Sequence, residues 1–190
     1  MHEALADARE TVEDWCRGRS WTPRAPLLLW MAYLSFRHLL DVDYASLLGA
    51  LNLGVHEAGH LLFGWLSWDF LTVAGGTLLQ LAAPVLSACM FVRQPDYFAC
   101  AFCGTWLATN LYNVATYVAD ARALDLPLVT VGGGEADHDW NFMLSALHLL
   151  DWDTRIATLV RIVAFVVAWS SVAAAAWMIW LMLMTRRSEA

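Results

Sequence analysis

The stretch that decides how this chain is read is Leu53–Leu66, "LGVHEAGHLLFGWL", which is apolar apart from His56, Glu57 and His60. A carboxylic acid and two imidazoles inside a segment suited to lipid are expensive. A charged side chain near the centre of a membrane helix costs about 2.5–3.5 kcal/mol even on lenient insertion scales, so such residues mark functional sites. The three stand as H-E-x-x-H. On a helix, residues four apart differ by about 40° around the axis, so both imidazoles point the same way. Two ring nitrogens so placed can share one zinc ion, with Glu57 to the side, where it accepts a proton from a water at the metal.

The rest of the chain agrees with a lipid setting. Of its 190 residues 59% are hydrophobic and only 15% charged, and the mean hydropathy is +0.50. A soluble domain is nearer half apolar and a quarter charged. The expected fold is therefore all-α, a polytopic membrane protein with a bundle of four to five transmembrane helices. No repeat or linker marks a second domain. Residues 1–25 form a polar N-terminal segment, residues 26–185 one membrane-embedded domain, and residues 186–190 a short tail. No cleavable signal pattern stands at the start. The net charge of −7 argues against nucleic acid, which wants a basic face. The four cysteines do not make a disulfide framework, and Cys100-Ala-Phe-Cys103 has no second pair with which to bind a metal.

Apolar runs predict the segments. Pro26–Leu40 is short and carries Arg37 and His38 near its end. Tyr44–Leu66 is long enough to span and holds the H-E-x-x-H motif. Phe70–Val92 spans, with Gly75-Gly76 early and Pro84 as a kink. Tyr97–Val118 spans and holds Asn110 and Asn113. A loop, Ala119–Asp139, contains Gly132-Gly133-Gly134. Asn141–Leu150 is a short surface helix, and Ile156–Thr185 a long apolar one. Trp65, Trp68, Trp140 and Trp152 fall near segment ends, where indoles favour the headgroup region. The arginine distribution mildly prefers four spans over five.

An H-E-x-x-H in a membrane helix of a small multi-span chain resembles the site-2 protease family of intramembrane zinc metalloproteases. The resemblance implies one zinc ion on His56 and His60, a general base at Glu57, and an aspartate ligand from a helix two spans later. It implies an enzyme that cleaves a peptide bond in a membrane or juxtamembrane protein. The family's later motif ends in Leu-Asp-Gly, whereas Leu124-Asp125-Leu126 here lacks the glycine, and no peptide-recognition domain is inserted.

Topology leaves two candidates for the third ligand. Asp120 directly follows the segment that returns to the motif's face of the membrane. His138 lies in "GGGEADHDW", on a glycine-rich loop that could fold back, with Asp139 beside it to orient an imidazole. Asn110 and Asn113 read as partners for a substrate backbone or oxyanion, or as helix–helix bonds. The expected partners are membrane lipid and a protein or peptide substrate, and the expected place is a bacterial cytoplasmic (inner) membrane. The rival expectation is a non-catalytic metal-binding protein, or a structural subunit of a larger membrane complex that keeps a metallopeptidase-like site.

Overall fold

The computed structural model describes residues 2–127 and 138–188, and every regular element in them is a helix. In chain order these are α1 (His2–Cys16), α2 (Ala25–Leu40), α3 (Gly49–Gly64), α4 (Asp69–Arg93), α5 (Tyr97–Ala119), α6 (Asp139–Ala146), a single 3₁₀ turn at Leu150–Trp152, and α7 (Asp153–Ser188). The three glycines at 132–134 lie outside the described residues.

The all-α expectation holds, and the boundaries refine it. The segment expected over Tyr44–Leu66 forms a helix only from Gly49, because turns occupy its start: Asp41 Oδ1 accepts from the Asp43 N–H, and the Gly49 N–H donates to the Ser46 carbonyl. The remaining 16 residues span about 24 Å, short of a hydrocarbon core of about 30 Å. The short helix begins at Asp139, two residues earlier than expected, and α4 continues through Pro84 without ending. Among the described residues, two helices are long and apolar enough to cross a membrane, one over Asp69–Arg93 and one over Leu150–Thr185. α5 has the length, but its Thr, Asn and Tyr residues lower its hydropathy.

Packing follows from small residues. α7 turns Ala157, Ala164, Ala168 and Ala175, all buried, toward the rest of the bundle. They recur at intervals of seven and four, which keeps one narrow stripe on one side of a helix. On α5, a Cβ at Gly104 would meet the Ser171 hydroxyl of α7, so glycine leaves that hydroxyl its place between the two helices. Asp96 caps α5, its carboxylate accepting from the Ala99 N–H at 3.1 Å.

α3 and α4 approach still more closely. A Cβ on Gly59 would lie 2.2 Å from the Gly75 carbonyl oxygen, and one on Gly75 would lie 2.7 Å from Phe63 Cβ. With a connection of only four residues (65–68), the two helices form an antiparallel hairpin. α5 lies against α4 on one side and α7 on the other, and α6 rests on α4 and α5. The outer faces carry large apolar side chains in the open, among them Leu61, Leu62, Leu86, Leu159, Ile162 and Val166.

Candidate metal centre

The H-E-x-x-H motif forms on α3 as its spacing predicts, with the His56 and His60 rings 4.7 Å apart, edge to face. Their Nε2 atoms are 3.0 Å apart. Asp139, the first residue of α6, brings Oδ2 to 2.8 Å from His56 Nε2 and 3.2 Å from His60 Nε2. Three atoms from two helices, 83 residues apart in sequence, thus form one small triangle.

The surrounding hydrogen bonds determine what those atoms are. His60 Nδ1 lies 3.0 Å from the Thr72 carbonyl oxygen, which can only accept, so the ring proton sits on Nδ1 and Nε2 presents a lone pair. For His56 the direction is set from further off. The Trp106 carbonyl accepts from Asn110 Nδ2, Asn110 Oδ1 accepts from Gln80 Nε2, and Gln80 Oε1 lies 3.0 Å from His56 Nδ1. Each amide is forced to one orientation by the carbonyl at the end of the chain, so His56 also donates through Nδ1. Burial alone would push the Asp139 carboxyl up, but attraction to His56 and His60 outweighs it and holds the group below the usual carboxylate range.

Three lone pairs therefore face one another at 2.8–3.2 Å, which is repulsive unless a cation sits among them. A single proton serves one contact. A metal ion serves all three, and ligands on a tetrahedral zinc at about 2.0–2.1 Å stand about 3.3 Å apart. The donor set, two imidazoles and a carboxylate, suits zinc as well as iron or nickel. Histidine ligands that donate their second nitrogen to a fixed acceptor are the usual arrangement around such ions.

Glu57 stands beside the triangle. Ligand atoms of His56, Glu57 and His60 all lie within 4.8 Å of one another. Among the described residues the Glu57 carboxylate has no hydrogen-bond partner. On the other side the wall is Gly76, where a Cβ would stand 2.6 Å from His60 Nε2 and 2.7 Å from His56 Nε2. Glycine there leaves the room that the two nitrogens need.

The other sequence candidates go elsewhere. His138 caps α6, accepting the Asn141 N–H on Nδ1 at 3.1 Å, and its Nε2 lies 3.2 Å from Asp120 Oδ2. Both ring nitrogens are thereby spent. Asp120 accepts from the backbone N–H groups of Asp125 and Leu126 as well. In place of either candidate, the residue expected only to orient an imidazole, Asp139, carries the third oxygen, while the Asp120–His138 pair fixes the start of its helix. Asn110, fully buried, belongs to the hydrogen-bond chain behind His56. Asn113 ties α5 to α3 through Asn52, whose Oδ1 accepts from Trp106 Nε1.

Sequence reasoning missed Gln80 and Tyr117. A lone glutamine one turn after Gly75-Gly76, in an otherwise apolar helix, was the available signal for the first. Tyr117 accepts the Asp139 backbone N–H on its hydroxyl at 3.1 Å, and its ring contacts those of His138 and His56 at 4.2 and 6.3 Å.

Compared with protein-family models, with curated proteins and with solved structures, the chain has no match.

Proposed function

We propose that the chain is a membrane-embedded zinc metallopeptidase, similar to site-2 proteases, that hydrolyses a peptide bond in a membrane or juxtamembrane substrate. The observation that carries this reading is the convergence of His56 Nε2, His60 Nε2 and Asp139 Oδ2 beside a carboxylate, Glu57, with no hydrogen-bond partner among the described residues. His56, His60 and Asp139 would hold a divalent ion, which would supply Lewis acidity toward a carbonyl and lower the pKa of a water. Glu57 takes the proton of the attacking water as the oxygen–carbon bond forms, and passes it to the amide nitrogen as the carbon–nitrogen bond breaks. The products are a carboxylate and an amine. His56 and His60 are held in register by Gln80 and the Thr72 carbonyl, so neither ring needs to reorganise during the reaction.

Membrane residence is supported by the two long apolar helices and by the large apolar side chains on the outer faces. In this reading α3, α4, α5 and α7 form the membrane bundle, with α3 inside it at the site and α2 short of a crossing. A purely structural zinc site needs four protein ligands. The His138 nitrogens are committed to Asp120 and the Asn141 N–H, so among the described residues three ligand atoms converge, those of His56, His60 and Asp139.

The test is metal analysis and peptide cleavage on purified wild type beside Glu57→Gln. About one zinc per chain in both, with cleavage of a membrane-peptide library lost in the variant, is the expected result. Equal cleavage by Glu57→Gln, or a wild type that holds no metal after gentle purification, would overturn the reading.

A further inference from the structure

Tyr117 is the second polar group aimed at this site from α5, and its hydroxyl is only half used. One lone pair accepts the Asp139 N–H at 3.1 Å. Its own hydrogen has no acceptor among the described residues. The phenol is half-buried, and its ring lies 4.2 Å from that of His138 and 6.3 Å from that of His56. The bond from the Asp139 N–H anchors the hydroxyl on the same residue whose carboxylate joins the two imidazoles. A half-buried hydroxyl held there, with no acceptor for its proton among the described residues, is suited to donate to an oxygen on a ligand.

We propose that Tyr117 is the hydrogen-bond donor that receives the substrate's carbonyl oxygen as it becomes anionic. This rests on the metallopeptidase reading. As the water oxygen bonds to the carbonyl carbon, the carbonyl π pair moves onto oxygen, and the Tyr117 O–H donates to it without giving up its proton. When the pair returns to carbon and the carbon–nitrogen bond breaks, that hydrogen bond relaxes. The group thus binds charge that exists only during the reaction, which is where a donor lowers a barrier most. Asn110, by contrast, is fully buried, accepting from Gln80 and donating to the Trp106 carbonyl, and so serves the chain behind His56.

The experiment uses the full chain in detergent, loaded with cobalt in place of zinc so that ligand binding is read from the visible absorption of the ion. Wild type and Tyr117→Phe are titrated with acetohydroxamate, which presents an anionic oxygen, and with 2-mercaptoethanol, which presents sulfur. Both proteins are expected to load one cobalt. Hydroxamate affinity is expected to fall about tenfold in the variant, the loss typical of one hydrogen bond to a charged group, with thiol affinity unchanged. Equal hydroxamate affinities, equal weakening of both probes, or a variant that loads no cobalt would each overturn the proposal, the last two by making Tyr117 a support for Asp139. A wild type that loads no cobalt would instead overturn the metallopeptidase reading on which it rests.

Discussion

Two buried histidines lie against α5, and they differ in everything but burial. His38 of α2 stacks on Tyr112, with centroids 4.6 Å apart and planes within 6°. Its Nε2 and the Tyr112 hydroxyl are both buried without a hydrogen-bond partner among the described residues. His56 meets Tyr117, five residues further along the same helix, and there both ring nitrogens are engaged and a second imidazole and a carboxylate converge on one of them. Burying a histidine is a packing event. A site needs acceptors that approach more closely than they would without a cation.

That contrast can be broken most sharply at the triangle. Asp139→Ala is expected to remove the metal altogether, whereas His138→Ala or Asp120→Ala keeps it with an affinity about 10–100-fold lower, since those residues act only through the placement of α6. Metal content after dialysis decides this, and retention by Asp139→Ala would return the third-ligand role to His138 or Asp120. Gly76→Ala belongs beside it: its methyl would enter the space of both Nε2 atoms, so metal is lost while circular dichroism stays helical.

Two smaller effects sharpen the comparison. Gln80→Leu frees the His56 ring and is expected to weaken metal binding by about 10–100-fold, measured by competition with a chelating dye. Acid should release the ion, because protons compete with it for its ligands, while Asp139, held below the usual carboxylate range, stays ionised at pH 5. The stabilisation that the metal gives is therefore present at pH 8 and lost as pH falls. A melting curve of the loaded protein at pH 8 and pH 5 checks the sign. The least change is expected at the other histidine. Tyr112→Phe deletes a buried hydroxyl that has no partner among the described residues, so stability should move by less than about 1 kcal/mol, in either direction, with metal content unaltered.

How much of this was legible beforehand depends on sequence distance. His56, Glu57 and His60 lie within one turn and a half of helix, where spacing alone fixes direction, and the structure keeps them together. The apolar helices after residue 25 were legible too, from runs bounded by "RQPD" and "RR", but α1, in the polar segment, was not expected as a helix. The third ligand was not. His138 and Asp139 are neighbours, and which of them faces α3 depends on a helix start that periodicity placed two residues late. Once His138 caps α6, its ring is turned toward Asp120 and the next side chain meets the imidazoles. Gln80 was hidden for a related reason: one amide in an apolar helix gives no hint of what lies across the hairpin. The short α3 was misjudged because Tyr44–Leu48 is as apolar as a helix while the turns around it follow local hydrogen bonds.

The reach from His56 to Asp139 also orders events during synthesis. α3 and α4 are complete long before Asp139 is made, and at about 5–20 residues per second the 83 residues between the two ligands take about 4–17 s to add. For that interval the growing chain carries two imidazoles and a free carboxylate but lacks the third ligand oxygen. Under the proposed function, a centre that closes only when most of its own bundle has been translated is inert while unfolded neighbours are nearest to it.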